Sequence, residues 1–137
     1  MGKAFEGEQI TVSMYNGLTT TIPVYHFVKL DCTAAHVHYV RLPTTTLSAP
    51  TLGITQEPID PSEYGRVAVS GISRLKVGST AMTMVVTTAN FVAANANGHG
   101  VRVAATTSYT QASMLSNAAA SDITAVMLSP VCAKRKI

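Results

Sequence analysis

Residues 52–78 have the sequence LGITQEPIDPSEYGRVAVSGISRLKVG, and this stretch indicates the fold class. Its second half alternates between two sets of side chains, which is the period of a half-buried β-strand and not of a helix. The turn around Pro58 and Pro61 precedes that strand, and no helix could cross it. We therefore predict a strand–turn–strand unit. Its core-facing residues are expected to be Val67, Val69, Leu75 and Val77.

The same alternation assigns an outer face to this strand. Arg66, Arg74 and Lys76 are expected to line an outer or subunit-facing surface, because they alternate with the apolar positions. Gly71 lies in the middle of the strand, which predicts a β-bulge or a close approach of another backbone.

The remainder of the 137 residues also favours β structure. Seven or eight short apolar runs are separated by turn residues, a pattern typical of a sandwich or barrel. The apolar run 82–88 predicts a buried strand, and a strand from Ile123 to Leu128 is expected to end at Pro130. A short strand is predicted at residues 113–116, and one short helix across residues 110–120 is the alternative because of its alanines. No internal repeat is evident. We predict an all-β fold, a small barrel or jelly-roll-like sandwich, with an N-terminal arm (1–20) and one β domain (21–137).

Charge is scarce and unevenly placed. Charged residues make up 12% of the chain, and between Val77 and Ala133 only Arg102 and Asp122 are charged. Such a surface has little electrostatic protection against association, so we expect an oligomer or a docked partner to cover it. The net charge of +3 equals the terminal run Lys134, Arg135 and Lys136. A basic tail without a basic face does not indicate nucleic-acid binding, and no apolar stretch is long enough to predict a membrane span.

No catalytic or cofactor motif stands out. The segment 71–79 contains Gly, Lys and Ser but lacks the consecutive Gly-Lys-Ser/Thr of a phosphate loop. Ser70 lies within a strand and not on a nucleophile elbow. The acidic turn residues Glu57, Asp60 and Glu63 could bind a cation, but a solvated turn explains them as well. We predict that the protein is not an enzyme and has no cofactor.

The histidines and cysteines are the candidate residues for a metal or redox site. His36 and His38 would share one face of a strand, a spacing that zinc accepts, but a third ligand would have to come from elsewhere in the fold. We expect no metal site. Cys32 and Cys132 each stand alone, so two buried reduced thiols are expected, and a bridge between them stays open.

Several of these segments together resemble the capsid decoration, or cement, proteins of tailed bacteriophages. The shared features are a Leu-Gly-Ile strand, a Gly-x-Val-x-Val-x-Gly strand, a Val-Gly step and an Ala-rich turn before a final apolar strand. The resemblance covers about residues 24–130. The matching positions are Leu52, Gly53 and Ile54; Gly65, Val67, Val69 and Gly71; Val77 and Gly78; Ala118 to Ala120, Asp122, Ile123, Val126 and Leu128.

This resemblance implies a structural virion protein, made in the host cytoplasm, that binds the outer face of the phage head. It implies the major capsid protein as partner, with self-association into homotrimers, and neither direct nucleic-acid nor membrane contact. We expect the N-terminal segment to reach onto capsid subunits, although an ordinary first strand is the alternative reading of that segment. The expected capsid contacts are Lys3, Phe5, Glu6, Ile10, Val12 and Met14.

An alternative function is a virion-surface module on a head or tail appendage that contacts host glycans or a receptor. It predicts an exposed aromatic or metal-centred pocket, for which His36 and His38 are candidates. The chain has no Trp, and its five Tyr and three Phe are scattered along the sequence. Because sugar binding usually uses large aromatic faces, the sequence alone gives this alternative no support.

Overall fold

The computed structural model describes residues 9–31, 38–44, 50–86, 90–103 and 109–134 of the chain. These residues form nine β-strands and no helix, which confirms the predicted all-β class. The strands are β1 (Ile10–Asn16), β2 (Phe27–Leu30), β3 (Tyr39–Arg41), β4 (Gly53–Thr55), β5 (Tyr64–Lys76), β6 (Phe91–Ala94), β7 (Gly100–Val103), β8 (Tyr109–Met114) and β9 (Ile123–Lys134).

The first five strands close into a small barrel. Their order around it is β1-β3-β2-β4-β5, and β5 pairs back onto β1. β1 runs parallel to β3, whereas the other neighbouring strands of the barrel are antiparallel. Of the two architectures that the sequence predicted, the barrel is confirmed. Closure removes the unpaired edges that an open sheet would expose.

The long strand β5 belongs to two sheets. Its residues 64–70 pair with β1 and β4 of the barrel, and its residues 71–76 pair with β9. β8, β6 and β7 then follow in the second sheet. A parallel bridge joins Gly100 of β7 to Val77, just after β5. Through that bridge β7, the last strand in the order of the second sheet, contacts the residue that follows β5, the first strand of that sheet.

The two halves repeat one pairing pattern. Residues 71–76 of β5 correspond to β1, and β6, β7, β8 and β9 correspond to β2, β3, β4 and β5 in both order and direction. The isolated antiparallel bridge between Ile22 and Ile59 has its counterpart between Met82 and Ala118. The sequence does not reveal this duplication, because equivalent positions hold different side chains, such as Ile59 and Ala118.

A bulge in β5 marks the passage from one half to the other. Ile10 of β1 pairs with Ser70, but the next residue, Thr11, pairs with Ala68, so β5 contains one extra residue there. Gly71 follows directly and has a φ of 94°, a conformation that glycine adopts without steric penalty. The irregularity that Gly71 predicted is therefore present in the strand.

Each half has its own hydrophobic core. The barrel core contains Met14, Ile22, Val28, Val40, Ile59 and Val67. The equivalent positions of the second half include Leu75, Met82, Val92, Ala118 and Val126, which belong to the other core cluster. Equivalent inward-facing positions of the two halves can hold different apolar side chains without changing the strand pairing, because each core needs only apolar residues that fill its volume.

The second core extends onto the outside of the barrel. Phe27, Ile54 and Ala68 point away from the barrel interior and are fully buried against the second half. Val67, Leu75 and Val77 are buried as predicted, whereas Val69 is only half-buried. Ala68 lies on the face that the alternation assigned to the outside, and it is buried because the second half covers that face.

Two sequence-based expectations fail in the structure, and one alternative is excluded. Strand β8 occupies residues 109–114, so the alternative of a short helix across residues 110–120 does not apply there. In the run 82–88, Met82 forms one bridge and residues 83–86 are exposed, so the apolar run is not a buried strand there. Strand β9 continues through Pro130, because that proline lies where the pairing with β8 is irregular and needs no ladder hydrogen bond.

The N-terminal segment contributes a strand to the barrel. Residues 10–16 form β1, the arrangement of an ordinary first strand, and Met14 lies in the barrel core. The predicted contacts Lys3, Phe5 and Glu6 lie outside the described residues, as do His36 and Cys32. The described part of the chain contains no helix long and apolar enough to cross a bilayer.

Candidate functional site: a tyrosine row on the barrel wall

Three tyrosines that are distant in sequence stand side by side on the outside of the barrel. Tyr15 of β1 pairs with Tyr64 of β5 on one side and with Tyr39 of β3 on the other. Their neighbours Met14 and Gly65 are buried, so the tyrosine side chains project outward. We call Tyr64, Tyr15 and Tyr39 the tyrosine row. No sequence motif groups these residues, because only strand pairing brings them together.

The rings of the tyrosine row are in mutual contact. The ring centroids of Tyr15 and Tyr39 lie 4.5 Å apart, and those of Tyr15 and Tyr64 lie 5.0 Å apart with an edge-to-face geometry. These separations fall in the range of favourable aromatic pairs. Tyr64 is 60% exposed, and the other two rings are half-buried. The row therefore offers aromatic surface to solvent from an ordered arrangement.

His38 extends the row. Its ring stacks on that of Tyr64 with a centroid distance of 5.7 Å and an interplanar angle of 20°. The Tyr64 hydroxyl hydrogen-bonds with Nε2 of His38 across 3.2 Å. The Tyr15 amide also donates to the His38 carbonyl at 2.9 Å. Of the two histidines that the sequence singled out, His38 thus joins an aromatic group, and His36 lies outside the described residues.

The two residues that follow Tyr15 in sequence position the tyrosine row. Asn16 is fully buried, and its amide donates to the carbonyls of Thr20 at 2.9 Å and Ile59 at 2.8 Å. Gly17 lies so close to Tyr39 that a Cβ there would be 2.6 Å from the ring. The Asn16-Gly17 pair, which in sequence suggests only a turn, therefore sets the position of the tyrosine row.

The basic residues predicted on β5 do not form one surface. Arg66 and Arg74 are exposed, but the bulge places them on opposite faces of the strand. This follows because Ala68, two residues after Arg66, and Leu75, next to Arg74, both face the second core. Lys76 is half-buried, and its ammonium group donates to the Ser121 carbonyl.

The apolar residues of β1 divide between surface and core. Ile10 is 59% exposed and Val12 is 38% exposed, so both remain accessible for a contact. Met14 is buried in the barrel. Met14 therefore stabilises the fold, whereas Ile10 and Val12 are available for a contact.

The acidic turn has local partners. Oε2 of Glu57 accepts hydrogen bonds from the Arg66 backbone amide at 2.9 Å and from its Nε at 3.4 Å. Asp60 accepts a hydrogen bond from the Thr21 hydroxyl at 2.9 Å. Within the described ranges, no three His, Cys, Asp or Glu side chains are grouped to hold a metal ion.

A junction of two histidines connects the halves. The rings of His26 and His99 meet edge to face at 4.7 Å, and Nδ1 of His26 donates to the Val24 carbonyl at 2.9 Å. Burial lowers the pKa of His26, and burial together with the neighbouring His26 and Lys76 lowers the pKa of His99. Both imidazoles therefore favour the neutral form in the folded protein.

A cleft of about 570 Å³ lies at the C-terminal end of β2, away from the histidine junction. It is lined by Lys29, Leu30, Asp31, Arg41, Pro50, Thr51 and Leu52. Its side chains are mostly apolar or aliphatic stems, with two cationic groups and one carboxylate. Lys29, one of the two cationic residues, donates a hydrogen bond to the Thr44 hydroxyl at 3.1 Å.

Comparison with known proteins gives a likeness of fold. No protein-family model matches the sequence, and no curated protein matches it. Among solved structures, the chain is similar to the N base of the head fiber protein gp8.5 of bacteriophage phi29, with a TM-score of 0.61 and 6% sequence identity. The likeness covers 93% of this chain and 99% of that one, so it extends over both halves of the duplicated fold.

Proposed function

We propose that this protein is a structural component of a tailed-phage virion that binds the outer surface of the head and cements neighbouring major capsid proteins. The observation that supports this proposal most is the fold likeness to a head-fiber base, which extends over nearly the whole of both chains. The resemblance of the sequence to capsid decoration proteins points in the same direction. The role is one of binding and involves no chemical step.

The surface of the second half suits a protein contact. Exposed apolar side chains there include Met84, Val86, Leu115, Ile123 and Met127, and Val86 is 99% exposed. From Val77 to Ala133 the chain contains two formal charges, Arg102 and Asp122. Apolar surface is characteristic of the centre of protein interfaces, and the cationic residues beside it are Arg74 and Lys76 of β5, which pair with β9. We assign this surface to contacts with capsid subunits or with further copies of the chain.

The N-terminal segment adds a second contact in the proposal. Ile10 and Val12 are exposed at the start of β1, and Lys3, Phe5 and Glu6 precede them in sequence. A segment that precedes the first strand of a domain can extend onto a neighbouring subunit.

Stabilisation of the shell would follow from mass action. A ligand that binds the assembled shell and not the free subunits favours assembly by RT ln(1 + [L]/Kd). Assembly of the chain into homotrimers would multiply weak contacts, because the second and third subunits bind at a high effective concentration.

Co-sedimentation tests the proposal. The full chain is mixed with undecorated shells assembled from the major capsid protein of the same phage, and we expect saturable binding to the shells. Val86→Asp with Met127→Asp should weaken binding, because both changes place charge on the apolar surface. Ser13→Asp, an exposed change on the barrel wall, is the matched control. Absence of binding by the unaltered chain would disprove the capsid role, and sedimentation equilibrium tests the trimer.

A further inference from the structure

We infer that the tyrosine row with His38 is a saccharide-binding platform, a role separate from capsid binding. The duplicated fold provides an internal comparison for this row. Position for position, Tyr15 corresponds to Lys76, Tyr64 to Ile123 and Tyr39 to His99. The second half adopts the same strand pairing without a single tyrosine at these positions. The fold therefore does not require the row.

The exposure of the row supports a binding role. Tyr64 presents 60% of its surface to solvent, and His38 is also exposed. Packing of the core does not explain these rings, because they lie on the outer wall of the barrel. Aromatic side chains offer a large contact area with little conformational freedom to lose on binding.

The row is already ordered before any ligand arrives. Gly17 gives Tyr39 the room to lie against the backbone, and the Tyr64 hydroxyl is fixed by His38. The buried amide of Asn16 ties the end of β1 to the turn that leads into β5. A site that is ordered in advance loses less entropy on binding.

The chemistry of this face fits sugars better than protein. A pyranose ring has an apolar C–H face that stacks on an aromatic ring, and hydroxyls at its edge that need hydrogen-bonding partners. Tyrosine and histidine supply both, since each has an apolar body and a polar tip. On the same face, Ser13 pairs with Arg66, which in turn contacts Glu57. Polar groups thus border the aromatic platform.

The contrast with the second half supports this choice of ligand. Protein-binding surfaces have an apolar centre, and exposed apolar side chains such as Val86 and Met127 belong to the second half. The tyrosine row lies instead among serine, arginine and glutamate side chains of the barrel wall. Three neighbouring rings, with centroids 4.5 and 5.0 Å apart, extend further than a single sugar unit, so an oligosaccharide is the expected ligand class.

The test uses the full chain and three neutral hexasaccharides, namely cellohexaose, chitohexaose and maltohexaose, together with an array of bacterial surface glycans. Binding is followed by two-dimensional NMR. We expect at least one saccharide to bind and to shift resonances of Tyr15, His38, Tyr39 and Tyr64. Tyr64→Ala should weaken that binding about tenfold or more, because one stacking ring is lost. Tyr64→Phe should retain most of it, since the ring stays.

Ile123→Ala is the matched control, because Ile123 occupies the position of Tyr64 in the second half. It should leave saccharide affinity unchanged. Thermal unfolding of each variant shows whether the fold is retained, which we expect because Tyr64 is mostly exposed. Capsid co-sedimentation should be unaffected by Tyr64→Ala. The inference is overturned if no saccharide binds, if Tyr64→Ala binds as well as the unaltered chain, or if Tyr64→Ala loses only capsid binding.

Discussion

Ser62 and Ser121 occupy the same turn in the two halves of the chain, and both have a left-handed backbone, with φ of 64° and 62°. The Ser62 amide donates to the Asn16 carbonyl at 2.9 Å, and the Ser121 amide donates to the Gly78 carbonyl at 2.8 Å. Asn16 ends the first strand of its half, and Gly78 lies two residues after β5, so the two acceptors differ by one position while the turns join the same two strands. The agreement shows that the duplication extends to individual backbone angles.

These two turns should tolerate glycine and reject a β-branched residue. We expect Ser62→Val and Ser121→Val each to lower the free energy of unfolding by about 1–2 kcal/mol, because a branched side chain is strained at positive φ. Ser62→Gly and Ser121→Gly should stay within about 1 kcal/mol of the unaltered chain, since relief of strain offsets the backbone entropy of glycine. Urea unfolding measures all four variants. Valine variants as stable as the glycine variants would contradict the strain argument.

The histidine junction predicts that stability falls in mild acid. The pKa values of His26 and His99 lie below the usual 6.5 in the folded chain, so the unfolded state binds more protons as the pH drops. The contribution of the two neutral imidazoles to stability is therefore fully present above about pH 6.5 and is lost as the pH falls through the folded pKa values.

Urea unfolding between about pH 5 and pH 8 tests this dependence. Besides the two imidazoles, the charged group at the junction is Lys76, which acts on both of them. His26→Gln should reduce the slope, and His38→Gln, on the exposed barrel wall, serves as the comparison. A stability that is equal at both ends of this range would refute the assignment.

Asn16 should be among the polar residues most important for folding. Its side chain is fully buried, donates to two carbonyls and accepts from the Leu18 amide at 2.9 Å. Asn16→Ala should cost about 2–4 kcal/mol, because it leaves buried groups without partners and opens a small cavity. Asn97→Ala, on an exposed turn, should cost little by the same urea measurement. Equal stabilities would show that water replaces the lost contacts.

Gly53 should not accept a side chain. A Cβ at this position would lie 1.9 Å from the Ala68 carbonyl oxygen, where β4 meets β5. Gly53→Ala should therefore destabilise the protein by about 3 kcal/mol or more, since the strands must separate to relieve the clash. Gly78→Ala is the control, because its nearest neighbour would be the Asn95 side-chain nitrogen at 3.2 Å. Similar melting temperatures for the two variants would contradict this prediction.

Deletion of residues 2–8 should separate capsid binding from folding. Strand β1 begins at Ile10, so the barrel should retain its cooperative unfolding. Capsid co-sedimentation should weaken if Lys3, Phe5 and Glu6 reach onto the shell. A longer deletion that includes Met14 is expected to unfold the barrel, because that side chain lies in its core. Unchanged capsid binding after the short deletion would exclude the N-terminal contact.

Local properties of the sequence were enough to predict the fold class. Alternation along residues 66–77, the proline-rich turn before them and the glycine at position 71 all act through short-range rules of backbone conformation. They correctly indicated β structure, a mid-strand irregularity and the burial of Val67, Leu75 and Val77. They failed for residues 83–86, because propensity favours extended backbone but cannot supply a neighbouring sheet to cover two apolar faces.

Only the tertiary structure decided how these strands are joined and what they display. The duplication is invisible in the sequence because a core accepts different apolar side chains at equivalent positions, as Ile59 and Ala118 do. Tyr15, Tyr39 and Tyr64 become neighbours because three strands pair in one particular register, and register depends on long-range contacts. The sequence by itself determined that this protein is built of strands, and barrel closure determined which side chains meet at its surface.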